Sequence, residues 1–159
     1  WAEGETSVTE PEPTRDHTER MLRAFGYDVK TEGNKISLVG GGKLEGTDIQ
    51  VPSDISSAAF FMVGAAITEG SDVVLEAVGI NPTRTGVIEI LKQMGADLTV
   101  ENERIAGGEP IADIHIKGSR TLKGIHMPED QVPLAIDEFP ALFIAAVCAE
   151  GQTLSLIPI

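Results

Sequence analysis

The chain has 159 residues, of which 42% are hydrophobic, and its formal net charge is −13. That length and apolar fraction suffice to bury a core, in one domain or two small ones, and they exclude a disordered tail. The negative charge argues against nucleic acid and anionic membrane as partners, so an anionic ligand would need local groups such as helix N-termini and a few arginines.

The cysteine and histidine content and the apolar pattern argue against a disulfide-bonded, a membrane-spanning or a metal-binding protein. The single cysteine, Cys148, rules out an internal disulfide framework, and its alanine and valine neighbours predict a small buried residue. No apolar run reaches transmembrane length and no signal-peptide pattern is present, so we expect a soluble cytoplasmic protein. The three histidines lack the spacing of metal ligands, which predicts no metal site.

One supersecondary unit occurs twice along the chain. In both copies a Glu-Gly pair precedes a short β-branched strand, a Thr-Arg pair opens an amphipathic helix, and a glycine ends the helix. The predicted strands are residues 7–9 and 73–75, and the predicted helices run from Thr14 to Gly26 and from Thr83 to Gly95.

Two β-hairpins are predicted after these helices. The first joins residues 27–30 to residues 35–39, and the second joins residues 96–101 to a strand that starts at Arg104. In the second hairpin the turn is predicted at Glu-Asn-Glu, residues 101–103. A later strand, residues 112–117, alternates polar and apolar side chains, as half-buried strands do.

A second repeated feature is a helix that is apolar on every face. One such helix follows residues 48–54, and the other covers residues 141–149. A helix without a polar face is predicted to be buried. Two kinds of helix in each unit indicate a layered α/β body, with sheets around an inner helix.

Asp137 lies where the second apolar helix begins. Asp is a favoured N-cap, and Pro140 suits the first helical turn. A carboxylate at the edge of a core is also partly desolvated, where it can transfer protons. The residues alone leave both roles open. Ser56 and Ser57 are predicted to cap the first apolar helix, and Arg84 is predicted to be structural.

Four motifs, in this order, resemble the middle section of 5-enolpyruvylshikimate-3-phosphate (EPSP) synthase, of the bacterial type usually less sensitive to glyphosate. They are TRDHTERML (14–22), VPSDISSAAFF (51–61), NPTRTG (81–86) and IDEFP (136–140). The resemblance implies an α/β (α+β) fold of repeated βαβαββ enolpyruvyl transferase units, an alpha-beta prism, here incomplete. Residues 1–47 would end the first domain, and residues 48–159 would begin the second, with one full unit at 48–117 and part of the next.

The resemblance also implies a function for a fragment of such an enzyme. The family transfers the enolpyruvyl group of phosphoenolpyruvate to the 5-hydroxyl of shikimate 3-phosphate, in aromatic amino acid biosynthesis, and needs no cofactor. Asp137 would be the catalytic proton acceptor, and Thr14 and Arg15 would bind shikimate 3-phosphate. Other substrate-holding segments of the family have no match in this chain, so we expect the isolated chain to be inactive.

Two alternatives stay open. UDP-N-acetylglucosamine enolpyruvyl transferase shares the fold and relies on a reactive cysteine, but residues 14–22 favour the shikimate branch. The other alternative is a non-catalytic βαβαββ module that binds a partner or self-associates through exposed core surface. The negative charge and the lack of clustered Lys and Arg beside aromatic residues count against RNA as that partner.

Overall fold

The computed structural model describes residues 2–11, 14–118 and 121–155, and it divides the chain into two compact units. The first unit comprises Trp1–Val51 together with Ile105–Glu109. The second comprises Pro52–Arg104 and Pro110–Ile159. The assignment of residues 1–47 and 48–159 to two transferase domains stays a prediction.

The first unit is a three-stranded antiparallel sheet with one helix. Its elements are β1 (Glu5–Thr9), α1 (His17–Ala24), β2 (Val29–Glu32) and β3 (Lys35–Val39). The strand order is β1-β3-β2, with Val29 of β2 opposite Leu38 of β3. The first predicted hairpin is confirmed, and Gly33, with a φ of 58°, provides the positive φ that its turn requires.

The second unit packs helices against another three-stranded sheet. The elements that lie wholly or mostly in it are α2 (Ile55–Ile67), β4 (Asp72–Gly79), α3 (Gly86–Gln93), β5 (Asp97–Ala106), β6 (Glu109–Lys117), 3₁₀ helices at Glu129–Gln131 and Pro133–Glu138, and α4 (Phe139–Cys148). The strand order β4-β6-β5 matches that of the first sheet, which confirms the predicted repeat and α/β class. Met62, Leu91, Ile114 and Leu142 are fully buried in the core of this unit.

Helices α1 and α3 each begin about one turn after the threonine predicted to open them. The Thr14 hydroxyl donates a hydrogen bond to Glu10, and the Thr83 hydroxyl donates one to Asn81. Such local bonds offer the chain an alternative to helical hydrogen bonding, so each segment before the helix remains non-helical.

The turn of the second hairpin was predicted at the wrong place. Strand β5 continues through residues 101–103, and the chain reverses at Gly107 and Gly108, whose φ values are 58° and 86°. Two successive glycines with positive φ suit a tight hairpin turn. Asn102 has a φ of 53° within β5, and its side-chain amide donates a 2.9 Å hydrogen bond to Asp113 of β6. Residues 112–117 are therefore the second half of β6.

The two apolar helices are buried on one side only, so the prediction of complete burial is wrong for this chain. In α2, Met62 is fully buried while Phe61 is 65% exposed, and in α4, Leu142 is fully buried while Val147 is 84% exposed. Cys148, predicted to be buried, is exposed. Periodicity indicates which faces avoid water, but it does not say which element covers each face. Within the described ranges no helix is long and apolar enough to cross a lipid bilayer.

Candidate functional site

Asp137 lies on the turn that leads into α4. It belongs to the 3₁₀ helix Pro133–Glu138, and it is exposed. The prediction that Asp137 caps α4 is wrong, because Glu138 occupies the N-cap position. The φ of −91° and ψ of −5° at Glu138 are also not the extended backbone of a capping residue. The 3₁₀ helix thus runs directly into α4 and presents Asp137 at the surface.

The residue next to Asp137 is buried in a polar cluster. Glu138 is only 3% exposed, and its Oε1 accepts a hydrogen bond of 2.5 Å from the Ser56 hydroxyl. Ser56 Oγ accepts a 2.6 Å bond from Arg84 Nη2, which lies 4.0 Å from Glu138 Oε1. A buried carboxylate is tolerated when it is paired and hydrogen-bonded. Ser56 and Arg84 supply both conditions for Glu138.

Asp54 completes this cluster at the start of α2. Its Oδ1 accepts a 3.1 Å bond from Arg84 Nη2, and its Oδ2 accepts bonds of 2.9 Å from the backbone N–H and the hydroxyl of Ser57. Asp54 is therefore the N-cap of α2, and the predicted serine caps are wrong. Burial acts to raise the pKa of Asp54, but the bonds from Ser57 and the nearby Arg84 guanidinium outweigh it and lower that pKa.

Lowering the pH is expected to destabilise the chain in part through Asp54. Because its pKa is lower in the folded than in the unfolded chain, its contribution is complete above about pH 5 and is lost as the pH falls through the folded pKa. Asp54→Asn can still cap a helix but carries no charge, so its unfolding free energy should depend less on pH. Urea unfolding at steps from about pH 5 to pH 3 measures this slope. Equal slopes in the two chains would contradict the prediction.

Thr14 and Arg15 lie in the irregular stretch just before α1. Both are exposed. The Thr14 hydroxyl donates a 2.5 Å bond to Glu10 Oε1, and the Thr14 N–H donates a 3.2 Å bond to Glu10 Oε2. Next to them, Arg20 Nε donates a 2.8 Å bond to Asp16, within the first turns of α1. The start of α1 therefore carries an ion pair of its own.

The predicted site residues lie in different units, whereas an unpredicted cluster lies within one unit. Thr14 and Arg15 belong to the first unit and Asp137 to the second, so neither unit by itself contains all three. The cluster of Ser56, Arg84 and Glu138 was missed, because Ser56 and Glu138 are 82 positions apart. The available signal was a glutamate beside an apolar helix, since a charged residue is rarely buried unpaired.

The described residues also bear on metal and cofactor binding. Within them, no group of three or more His, Cys, Asp and Glu side chains could hold a metal ion. The absence of a cofactor stays a prediction.

Comparisons with known protein families, curated proteins and solved structures all point to one family over nearly the whole chain. Residues 1–155 match the family model for EPSP synthase (3-phosphoshikimate 1-carboxyvinyltransferase). Curated relatives of that name from Alkalilimnicola ehrlichii and Hydrogenovibrio crunogenus are 64% and 66% identical, each over 97% of this chain. A solved EPSP synthase from Acinetobacter baumannii is 96% identical over 98% of the chain, with a TM-score of 0.94.

The chain covers only about a third of the length of these relatives. It spans 34% and 36% of the two curated relatives and 35% of the solved A. baumannii chain. The predicted enolpyruvyl transferase fold is thereby confirmed for the part present. The chain belongs to the EPSP synthase (3-phosphoshikimate 1-carboxyvinyltransferase) family.

Proposed function

We propose that this chain forms part of the shikimate 3-phosphate site of a 3-phosphoshikimate 1-carboxyvinyltransferase. The observation that carries the proposal is the family match over residues 1–155, a range that includes Thr14, Arg15 and Asp137. The names of the relatives support the shikimate branch over the sugar-nucleotide transferase. Phosphoenolpyruvate would be the second substrate, and the complete protein would act in aromatic amino acid biosynthesis.

Asp137 would accept the proton of the 5-hydroxyl. In the reaction, the hydroxyl oxygen of shikimate 3-phosphate bonds to the central carbon of phosphoenolpyruvate and loses its proton, while the methylene carbon gains one. The carbon–oxygen bond to phosphate then breaks, and a proton lost from the methyl group restores the double bond. A proton acceptor must be within reach of the substrate and held in position. The exposure of Asp137 and the burial of Glu138 beside it support both requirements.

Arg15 and Thr14 would bind the phosphate of shikimate 3-phosphate. An arginine guanidinium holds phosphate with parallel, charge-assisted hydrogen bonds, and Arg15 is exposed. The Thr14 hydroxyl would have to exchange its bond to Glu10 for one to a phosphate oxygen. Because the chain carries a net charge of −13, attraction to an anion must come from such local groups.

Titration of the isotope-labelled chain with shikimate 3-phosphate tests this assignment. Saturable amide NMR shifts are expected near Thr14 and Arg15 and near Asp137. Arg15→Ala should raise the dissociation constant by about 10–100-fold, since hydrogen bonds to charged groups contribute about 1.5–3 kcal/mol. Asp137→Ala should weaken binding less, because it removes contacts to hydroxyl groups and leaves the phosphate contacts intact.

A matched control is available in the first unit. Lys35→Ala also removes one positive charge, from an exposed side chain 3.7 Å from Glu5, and it should leave the affinity unchanged. The assignment would be wrong if Lys35→Ala weakened binding as much as Arg15→Ala did, or if no shift saturated. Inorganic phosphate and shikimate, titrated separately, show which residues respond to each half of the ligand.

Two further expectations stay predictions. The exposed apolar side chains of α2 and α4, among them Phe61 and Val147, support self-association of the isolated chain. The same chain is expected to work in the cytoplasm, without nucleic acid as a partner.

A further inference from the structure

The carboxylate beside Asp137 is held from two directions. Ser56 belongs to the first turn of α2, and Arg84 belongs to the loop before α3. Both converge on Glu138, through the Ser56 hydroxyl at 2.5 Å and Arg84 Nη2 at 4.0 Å. Because Glu138 directly follows Asp137 and ends the 3₁₀ helix that carries it, anchoring Glu138 anchors the backbone from which the Asp137 side chain extends.

The loop before α3 is shaped to present Arg84. Asn81 is 2% exposed, and its Oδ1 accepts bonds from the N–H and the hydroxyl of Thr83, at 3.0 Å and 2.8 Å. The Arg84 N–H then donates a 2.8 Å bond to the Asn81 carbonyl. This is the local geometry of an Asx turn, which fixes the backbone without a helix or strand. The guanidinium is further oriented by its bond to Asp54, so it approaches Glu138 along one direction.

The same loop also touches the backbone of the turn that carries Asp137. Gly86, the first residue of α3, is buried against residues 131–135. A Cβ at this position would lie 2.8 Å from the Gln131 carbonyl oxygen and 2.9 Å from the Leu134 carbonyl carbon. Since only glycine allows this approach, the NPTRTG segment contacts the turn before Asp137 through its backbone and Glu138 through Arg84.

We propose that Arg84 and Ser56 are positioning residues, which act through Glu138 to hold the Asp137 carboxylate where it receives the substrate proton. This rests on the proposed function of Asp137. Neither side chain needs to touch substrate for this role. The cluster explains why a charged residue is buried beside the proposed proton acceptor, and why the loop at residues 81–86 has its own internal hydrogen bonds.

The test requires a complete enzyme. In a hybrid, this chain replaces the corresponding segment of the A. baumannii EPSP synthase, to which it is 96% identical. Ser56→Ala and Arg84→Gln should each lower kcat by about 10–100-fold, since displacement of a reacting group by about 1 Å costs up to about 10²-fold. Ser56→Thr keeps the hydroxyl and should restore most of the activity. Lys92→Gln, which removes an exposed positive charge from α3, should leave kcat unchanged.

A double-mutant cycle separates positioning from mere support of the fold. In an Asp137→Asn background, Ser56→Ala or Arg84→Gln should change kcat by less than about two-fold, because no carboxylate remains to be positioned. If the effects instead multiply, or if Ser56→Ala and Arg84→Gln leave kcat unchanged, the positioning role is overturned. If Asp137→Asn alone leaves kcat unchanged, Asp137 is not the proton acceptor, and the positioning role fails with that assignment.

Thermal unfolding of each variant shows whether the fold is retained. If Arg84→Gln fails to fold, kcat of Arg84→Lys is compared with that of the parent hybrid instead. Lysine keeps the positive charge but lacks the planar geometry of the guanidinium. Positioning then predicts a lower kcat at unchanged melting temperature. A kcat equal to that of the parent hybrid would overturn it.

Discussion

Asp137→Asn is expected to lower kcat of the complete hybrid enzyme by about 10²–10⁴-fold, the usual contribution of a general acid or base. Asn has nearly the same shape as Asp, so the 3₁₀ helix and its contacts should persist. It cannot accept a proton from the 5-hydroxyl, however. Phosphate release under saturating shikimate 3-phosphate and phosphoenolpyruvate measures the effect, with the melting temperature checked in parallel.

A nearby aspartate provides the control for this substitution. Asp130 is exposed in the preceding 3₁₀ helix, where it accepts a 3.0 Å bond from Gln131. Asp130→Asn changes the net charge equally and should leave kcat within about two-fold of the parent. Comparable losses in the two variants would mean that Asp137 acts through general electrostatics. An active Asp137→Asn enzyme would mean that another group accepts the proton.

Leu142→Ala in α4 is expected to destabilise the isolated chain by about 2–5 kcal/mol, as large-to-small substitutions in a packed core do. Leu142 is fully buried in the core of the second unit. Because Met62 and Ile114 are fully buried in the same cluster, the cavity would be lined by side chains with little room to collapse. Urea unfolding at neutral pH gives the change in unfolding free energy.

The opposite face of the same helix is the matched control. Val147 is 84% exposed, so Val147→Ala should change the unfolding free energy of the isolated chain by less than about 0.5 kcal/mol. Equal effects at Leu142 and Val147 would mean that α4 packs differently from the structure described. In the complete hybrid enzyme, Val147→Ala also tests whether the outer face of α4 is covered. A larger loss of unfolding free energy there than in the isolated chain would show that it is.

Much of the secondary structure could be predicted from local pattern. The hairpin of β2 and β3 is predicted from the turn composition of residues 32–34, and the second half of β6, residues 112–117, is predicted from its strict alternation. The composition of Glu-Asn-Glu at residues 101–103 predicts the turn between β5 and β6 there, but the chain reverses at Gly107 and Gly108, both of which have positive φ. Asn102 adopts a positive φ without ending its strand, since Asp113 of the neighbouring strand accepts its side-chain bond.

The candidate site was predicted only in part. Thr14, Arg15 and Asp137 were singled out by resemblance to a family, which the comparisons then confirmed for the chain, while the roles of these residues stay predictions. The N-cap, one of the two roles that the residues leave open for Asp137, falls instead to Glu138. Backbone angles, which the sequence does not specify, decide between the two residues.

Local pattern and the order of motifs are enough to predict the repeated strand–helix–hairpin unit, the apolar character of α2 and α4, and the family. The contact of Ser56 and Arg84 with Glu138 beside Asp137, and the covered faces of α2 and α4, are known from the folded chain alone. The two sets of features differ in the sequence separation of the residues involved. Periodicity and capping act between residues a few positions apart. The bond from Arg84 to Ser56 spans 28 positions and the bond from Ser56 to Glu138 spans 82, so both form only once the elements have packed.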